Sequence, residues 1–226
     1  MTEDALARIH ADLLSGKLRP GDRIKIGDLC RSLGYNLSAV REALSRLTSE
    51  GMVSYEPHRG YRATPVSLDE LRDLTETRID IEASCLRSAL SAGDLAWETA
   101  IVAALHVLLG TAKPTATMNP AEQGSWFAAH RIFHEKLVAA CNSPLRLRIR
   151  SQLYTLSERY RRLSARPSEA VRDYDREHRE LAEAALARDA DRAVAMMSAH
   201  LELTTRYLVE AMSVPSSASP RAASAE

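Results

Sequence analysis

Of the seven histidines in the sequence, four fall on helical stripes of apolar residues. His130 and His134 stand four apart, so they share one helix face with Phe127, Leu137, Val138 and Cys141. His178 lies on the stripe of Val171, Tyr174, Leu181 and Ala185, and His200 on that of Ala193, Met196, Leu203 and Tyr207. All four are expected to point into one interior. A buried ring without a partner costs on the order of 1–3 kcal/mol, and a single core histidine ordinarily meets that cost with a hydrogen bond. Four rings from three helices, one pair at i, i+4, point instead to convergence on a divalent metal. Imidazole nitrogen suits Zn²⁺, taken first here, with Ni²⁺ or another transition ion (Co²⁺, Cu²⁺, Fe²⁺) as the alternative. An all-imidazole set is uncharged, so an ion would keep about two positive charges in an apolar cavity, and a carboxylate is the expected counter-ligand. His10 and His106 show no such pairing and are expected at the surface or in packing.

Catalysis finds little support beside these rings. In His130-Arg131-Ile132-Phe133-His134, an arginine occupies the place where a helical zinc protease motif has its catalytic glutamate. Glu135 and Glu177 adjoin the histidines but should point off their faces. There is no nucleophile–base pair and no Gly-rich phosphate loop, so no catalytic residue is assigned and the chain is not expected to be an enzyme. A helical metalloenzyme that activates water and a metal-stabilised dimerisation scaffold are the alternative readings.

The elements that must carry the rings are helical. The chain has 226 residues, 45% hydrophobic and 27% charged, with only 5% aromatic and an Ala, Leu, Arg and Glu bias that favours helix. Beyond residue 66, helices are expected from Leu68 to about Ala92, Leu95 to Leu109, Ala121 to Cys141, Leu145 to Ser164, Arg166-Pro167-Ser168 to about Asp189, and from there to about Met212. The breaks fall at Gly93, Gly110, Pro114, Pro120 and Pro144. Ser67-Leu68-Asp69-Glu70 reads as a capped start. Six such helices make an antiparallel bundle. Residues 67–212 are therefore read as a metal- and ligand-binding, dimerising domain, and 213–226, rich in Ser, Ala and Pro, as a disordered tail.

Residues 1–66 follow another pattern. Ala5–Leu14 carries Leu6, Ile9, Leu13 and Leu14 at helical spacing; Ile24, Ile26, Leu29, Cys30 and Leu33 fit a second helix. Ser38 is a plausible cap for a third helix, starting at Ala39, carrying Val40, Ala43, Leu44 and Leu47 inward and ending at Gly51. Met52–Tyr55 and Tyr61–Thr64 flank a turn at Pro57-His58-Arg59-Gly60, giving a two-stranded hairpin. Three short helices and a hairpin are the order of a winged helix-turn-helix. The third helix leaves Asn36, Ser38, Arg41 and Ser45 outward, where its N-terminus can enter a DNA major groove, and the wing His58-Arg59-Gly60 can reach the neighbouring backbone. Between Lys17 and Arg62 nine basic residues stand against five acidic, although the whole chain balances at 30 of each. That basic head on a neutral body fits nucleic-acid binding.

The sequence carries a family resemblance. Gly16-Lys17-Leu18-Arg19-Pro20-Gly21-Asp22, Val40-Arg41-Glu42-Ala43-Leu44-Ser45-Arg46-Leu47, Ser49-Glu50-Gly51-Met52-Val53 and His58-Arg59-Gly60-Tyr61-Arg62 resemble the DNA-binding domain of bacterial GntR regulators. The usual Arg-Thr-Pro before the Val-Arg-Glu-Ala-Leu block is Leu37-Ser38-Ala39 here, so an arginine that many relatives use on DNA is missing. Arg78-Ile79-Asp80-Ile81-Glu82, Phe133-His134, Ala140-Cys141-Asn142, Glu177-His178 and Ala187-Arg188-Asp189 leading to His200-Leu201 resemble the FCD domain of the FadR-type branch. Many members of that branch hold a divalent metal with one Asp and three His and sense small organic acids; here His130 stands in place of the Asp. The resemblance implies that an effector carboxylate bridges the metal and a basic side chain, with Arg78 the first candidate and Arg150 the second. Pairing of Arg78 with its i+4 neighbour Glu82 is the competing role.

Together these readings describe a mainly α protein: a winged helix-turn-helix followed by a six-helix, FCD-like bundle. Its expected work is transcription regulation, as a homodimer on a pseudo-palindromic double-stranded DNA operator, with repression relieved by the acid. No apolar run reaches the ~18 residues of a membrane span. The acidic start, Met1-Thr2-Glu3-Asp4, is unlike a secretory signal. Cys30, Cys85 and Cys141, odd in number and set among apolar residues, fit a reducing compartment. The expected location is the cytoplasm, on the nucleoid.

Overall fold

The computed structural model describes residues 2–115, 117–163 and 172–213. The chain begins with α1 (Thr2–Leu14), β1 (Arg23–Ile24), α2 (Ile26–Leu33), α3 (Leu37–Ser49), β2 (Val53–Glu56) and β3 (Gly60–Ala63). Its apolar stripes close a core of Ala5, Ile9, Leu13, Val40, Leu44, Leu47 and Met52. Three details differ from the sequence reading. Ile24 leaves the second helix and forms β1, which pairs antiparallel with β3, so the sheet has three strands in the order β1-β3-β2. Two residues are too few for periodicity to reveal a strand; only pairing to Tyr61 and Arg62 makes it one. Asn36, not Ser38, caps α3: its Oδ1 accepts from the Ala39 N–H at 2.9 Å, and the helix starts at Leu37. Asn and Ser are equally good caps, so residue type alone does not choose between positions two apart. The helix also stops at Ser49 rather than at Gly51, which sits at φ +75° to turn the chain into β2.

Among the described residues six helices follow: α4 (Leu68–Ala92), α5 (Leu95–Gly110), α6 (Pro120–Val138), α7 (Pro144–Leu163), α8 (Tyr174–Leu186) and α9 (Ala190–Ser213). Ser67 caps α4 by accepting from Glu70 N–H at 3.1 Å, and Asp94 caps α5 through Trp97 N–H at 2.9 Å. Gly93 between them is required by space: a Cβ there would meet the Trp97 ring at 2.4 Å. Helix α4 is central, packed on α9, α7 and α6, while α5 lies on α6 and α8. The bundle core runs from Cys85 and Leu86 through Phe133 and Leu137 to Leu181 and Met197. The helix start expected at 166–168 and the tail at 214–226 lie outside the described residues; Ser213 itself closes α9.

The two cores meet along α7. Leu156 packs on the N-terminal core and lies 3.6 Å from the Cβ position at Gly51. Arg159 donates to the Thr64 carbonyl, and next to it Tyr160 fixes the start of α4 by donating to Glu70 at 2.5 Å. Leu163 comes within 3.1 Å of the Cβ position at Gly16.

Candidate metal centre

Helix α6 supplies His130 and His134, α8 supplies His178, and α9 supplies His200. All four are buried, and one nitrogen from each lies within 4.8 Å of all the others. Ring centroids are 4.4 Å apart for His130–His134 and 4.9 Å for His178–His200. The helices converge because each ring sits on its own helix's apolar stripe, so burying the stripes gathers the imidazoles.

Their hydrogen bonds orient them. His178 Nδ1 contacts the Tyr174 carbonyl at 2.6 Å, an oxygen that can only accept, so Nδ1 carries the proton and Nε2 is free. His200 Nδ1 contacts Glu177 Oε2 at 2.8 Å, and Glu177 is itself held by Arg172 at 2.6 and 2.7 Å. His130 Nδ1 pairs with the Tyr154 hydroxyl at 2.8 Å. Both nitrogens of His134 and Nε2 of His178 are buried without a hydrogen-bond partner. Burial pulls all four rings below the ordinary imidazole range, His200 to about 3, so they are neutral at pH 7. Burial alone would raise the Glu177 carboxyl, but the Arg172 hydrogen bonds and His200 hold it down at about 2.

This donor set fits a divalent transition ion. Ligating imidazoles must be neutral and usually give their second nitrogen to a carboxylate or carbonyl, as His200 and His178 do. Nitrogens around a four-coordinate ion at ~2.1 Å would stand about 3.4 Å apart, and one from each of the four rings already lies within 4.8 Å of the others. Leaving three imidazole nitrogens orphaned in a dry core has no structural benefit of its own.

Beside the rings stands a group of cations around Tyr154. The guanidiniums of Arg78, Arg161 and Arg150 lie 4.7, 4.8 and 5.2 Å from the centre of its ring. Glu82, fully buried, accepts from Arg150 Nε at 3.0 and 3.1 Å and from Arg78 at 3.2 Å. Ser157 accepts from Arg78 at 3.0 Å. Burial draws Arg78 down to about 10, still cationic at neutral pH. The pairing of Arg78 with Glu82 is thus real, and it leaves Arg78 Nε and Arg150 Nη2 unpartnered in the interior.

Sequence reasoning identified the four rings, Arg78 and Arg150, and missed the groups that orient them. It put Glu177 off the face of α8, whereas the carboxylate turns back to His200; a Glu beside a His reads as solvent-facing until the neighbouring helix is placed. Tyr154, Ser157 and Arg161 follow Arg150 at helical spacing on α7, a signal in the sequence that was not used. His106 is exposed, and His10 is half-buried between α1 and α7.

On the N-terminal unit, Asn36, Ser38, Arg41 and Ser45 are exposed along one side of α3, with Asn36 Oδ1 engaged as the cap. His58 and Arg59 are exposed at the wing tip, His58 at φ +63° and Gly60 at φ +82°. Glu56 lies 3.5 Å from Arg59.

Known proteins match along both parts. The model of "Bacterial regulatory proteins, gntR family" covers residues 1–62, and that of the FCD domain covers 73–203. The HTH-type transcriptional regulator BphR of Paraburkholderia xenovorans, itself uncharacterised, is 38% identical over 89% of this chain and 82% of its own. The HTH-type transcriptional repressor GlaR of Escherichia coli is 30% identical over 92% of this chain and 96% of its own. Among solved structures, E. coli McbR/YncC superposes with a TM-score of 0.75 at 20% identity, covering 92% of this chain and 97% of that one. A putative GntR regulator from Rhodococcus sp. RHA1 gives 0.71 at 19% identity, with the same coverage.

Proposed function

The chain belongs to the bacterial GntR family of transcriptional regulators and carries an FCD domain, and from that premise we propose that it is a repressor released by a small organic acid sensed at a divalent metal. It is a regulator of transcription rather than an enzyme. His130, His134, His178 and His200 would hold the ion, Zn²⁺ or Ni²⁺, which would supply a Lewis-acidic point for a carboxylate. The observation that carries this reading is the convergence of orphaned, neutral imidazole nitrogens beside buried guanidiniums. Arg78 and Arg150, each with a free N–H, bind the rest of the carboxylate.

On DNA, a homodimer presents two copies of α3 to the half-sites of an operator. Ser38 in the first turn of α3, with Arg41 and Ser45 farther along the same side, faces the bases and phosphates, and His58, Arg59 and Gly60 follow the groove edge. Helix α7 supports a coupling between the two tasks. Its Arg150, Tyr154, Ser157 and Arg161 line the cation cage, while Leu156, Arg159 and Leu163 on its other side contact the N-terminal unit. An acid that binds one arrangement of α7 better than another shifts the head with it, by as much as that difference in affinity and no more.

A thermal-shift screen of organic acids on metal-loaded and chelator-stripped protein tests the reading. An acid that binds the native state raises the melting temperature. The rise is expected in the loaded protein and not in the stripped one; equal shifts in both would remove the metal from the mechanism.

A further inference from the structure

The charges around Tyr154 do not balance. Three guanidiniums surround its ring, and the one carboxylate among them, Glu82, spends both oxygens on Arg78 and Arg150. Arg161 has none. Its Nη1 reaches the Ser157 hydroxyl at a long 3.4 Å, and its Nε and Nη2 are buried with no partner. The next carboxylate along the helix, Glu158, is taken by Arg162, which itself lies over the Phe127 ring. Arg172 is matched by Glu177. Among the described residues, the cage thus keeps one half-buried arginine whose Nε and Nη2, themselves buried, no carboxylate answers.

Such a cation lowers stability unless something arrives to meet it. Arg161 also shares the field of the imidazole cluster: after burial, it is the strongest influence disfavouring protonation of His130. Tyr154 spans the two, with its hydroxyl on His130 and the guanidiniums around its ring. A single carboxylate at the imidazole end can draw on the free N–H groups of Arg78 and Arg150, but it leaves the charge of Arg161 unmatched.

Resting on the acid-sensing reading, we infer that the effector is an acid with two separate anionic groups, one held at the imidazole cluster and the second by the Arg161 guanidinium, whose fork suits a carboxylate. The ligand class is a small dicarboxylate rather than a monocarboxylate. Arg161 is then a residue that sets specificity, and its unmet charge in the free protein is the cost of that selectivity.

The test uses metal-loaded, full-length protein and matched probes: α,ω-dicarboxylates of three to six carbons, each against the monocarboxylate of equal chain length, with inorganic phosphate as a dianion of one group. Calorimetry on the wild type is expected to favour the best dicarboxylate over its monocarboxylate by about tenfold or more, a charge-assisted pair's worth. In Arg161→Gln that ratio falls to within about twofold, and the unliganded variant melts about 2–4 °C higher because the orphaned cation is gone. Arg161→Lys, which keeps the charge without the fork, retains part of the preference. Equal affinity for mono- and dicarboxylates in the wild type, a preference that survives in Arg161→Gln, or phosphate binding as well as the best dicarboxylate would each overturn the two-point assignment and leave the acid sensor intact. Binding of none of the probes would overturn both.

Discussion

At the scale of single residues, the centre is decided by who answers the second nitrogen of each imidazole. Glu177 does so for His200, and Arg172 fixes Glu177. Replacing Glu177 by Gln keeps the shape and weakens the acceptor; metal affinity, read by competition with a chromogenic chelator, is expected to fall about 10–100-fold. An unchanged affinity would mean that His200 is not a ligand. The rings also give the metal-free protein a pH signature. Each is neutral when folded and titrates near 6.5 when unfolded, so the unfolded chain binds more protons below that value. Stability is complete above about pH 6.5 and declines as the pH falls, with each ring contributing about 1.4 kcal/mol per pH unit down to its own lowered value, about 3 for His200. Glu177 adds to the loss between its ordinary 4.5 and about 2. Urea melts of stripped protein between pH 8 and 5 check this: a midpoint that does not move from 7 to 5 would contradict the burial of neutral rings.

At the scale of elements, α7 has a foot in each half. Leu156 sits partly exposed against the N-terminal core, close to Gly51. Leu156→Ala is expected to cost about 1–2 kcal/mol, less than a fully buried Leu→Ala, and to uncouple the halves. The melting shift on acid binding remains, while the acid no longer releases operator DNA in a gel-shift titration. Release as effective as in the wild type would move the coupling to another element.

At the scale of the molecule, the chemistry of the two ends is separable. Arg41 is exposed and remote from the bundle core, so Arg41→Ala is expected to weaken operator binding about 100-fold or more across two half-sites while leaving metal content and melting temperature unchanged. His134→Ala does the reverse: metal occupancy and acid response fall together, and binding of the acid-free protein to DNA persists. Elemental analysis and fluorescence anisotropy on the same two preparations read both outcomes. Loss of metal in Arg41→Ala would show that the halves are not independent.

How much of this was legible beforehand follows from range. Helix stripes and the i, i+4 pair His130–His134 are local, so a period of 3.6 residues sufficed to put four imidazoles inside and to outline three helices and a wing. Arg78 and Arg150 were singled out by the family resemblance rather than by a local pattern. Pairings between distant segments have no such period: β1 exists because Arg23 and Ile24 meet Arg62 and Tyr61, Glu177 turns inward because His200 arrives from another helix, and Arg161 Nε and Nη2 are unpaired because no carboxylate among the described residues reaches them. The sequence alone determined which apolar faces are buried and the order of the helices, because burial of a face is set by each helix's own stripe. Which buried groups have partners was decided only by the packing of helices far apart in the chain, because hydrogen bonding needs ångström placement that no local pattern encodes.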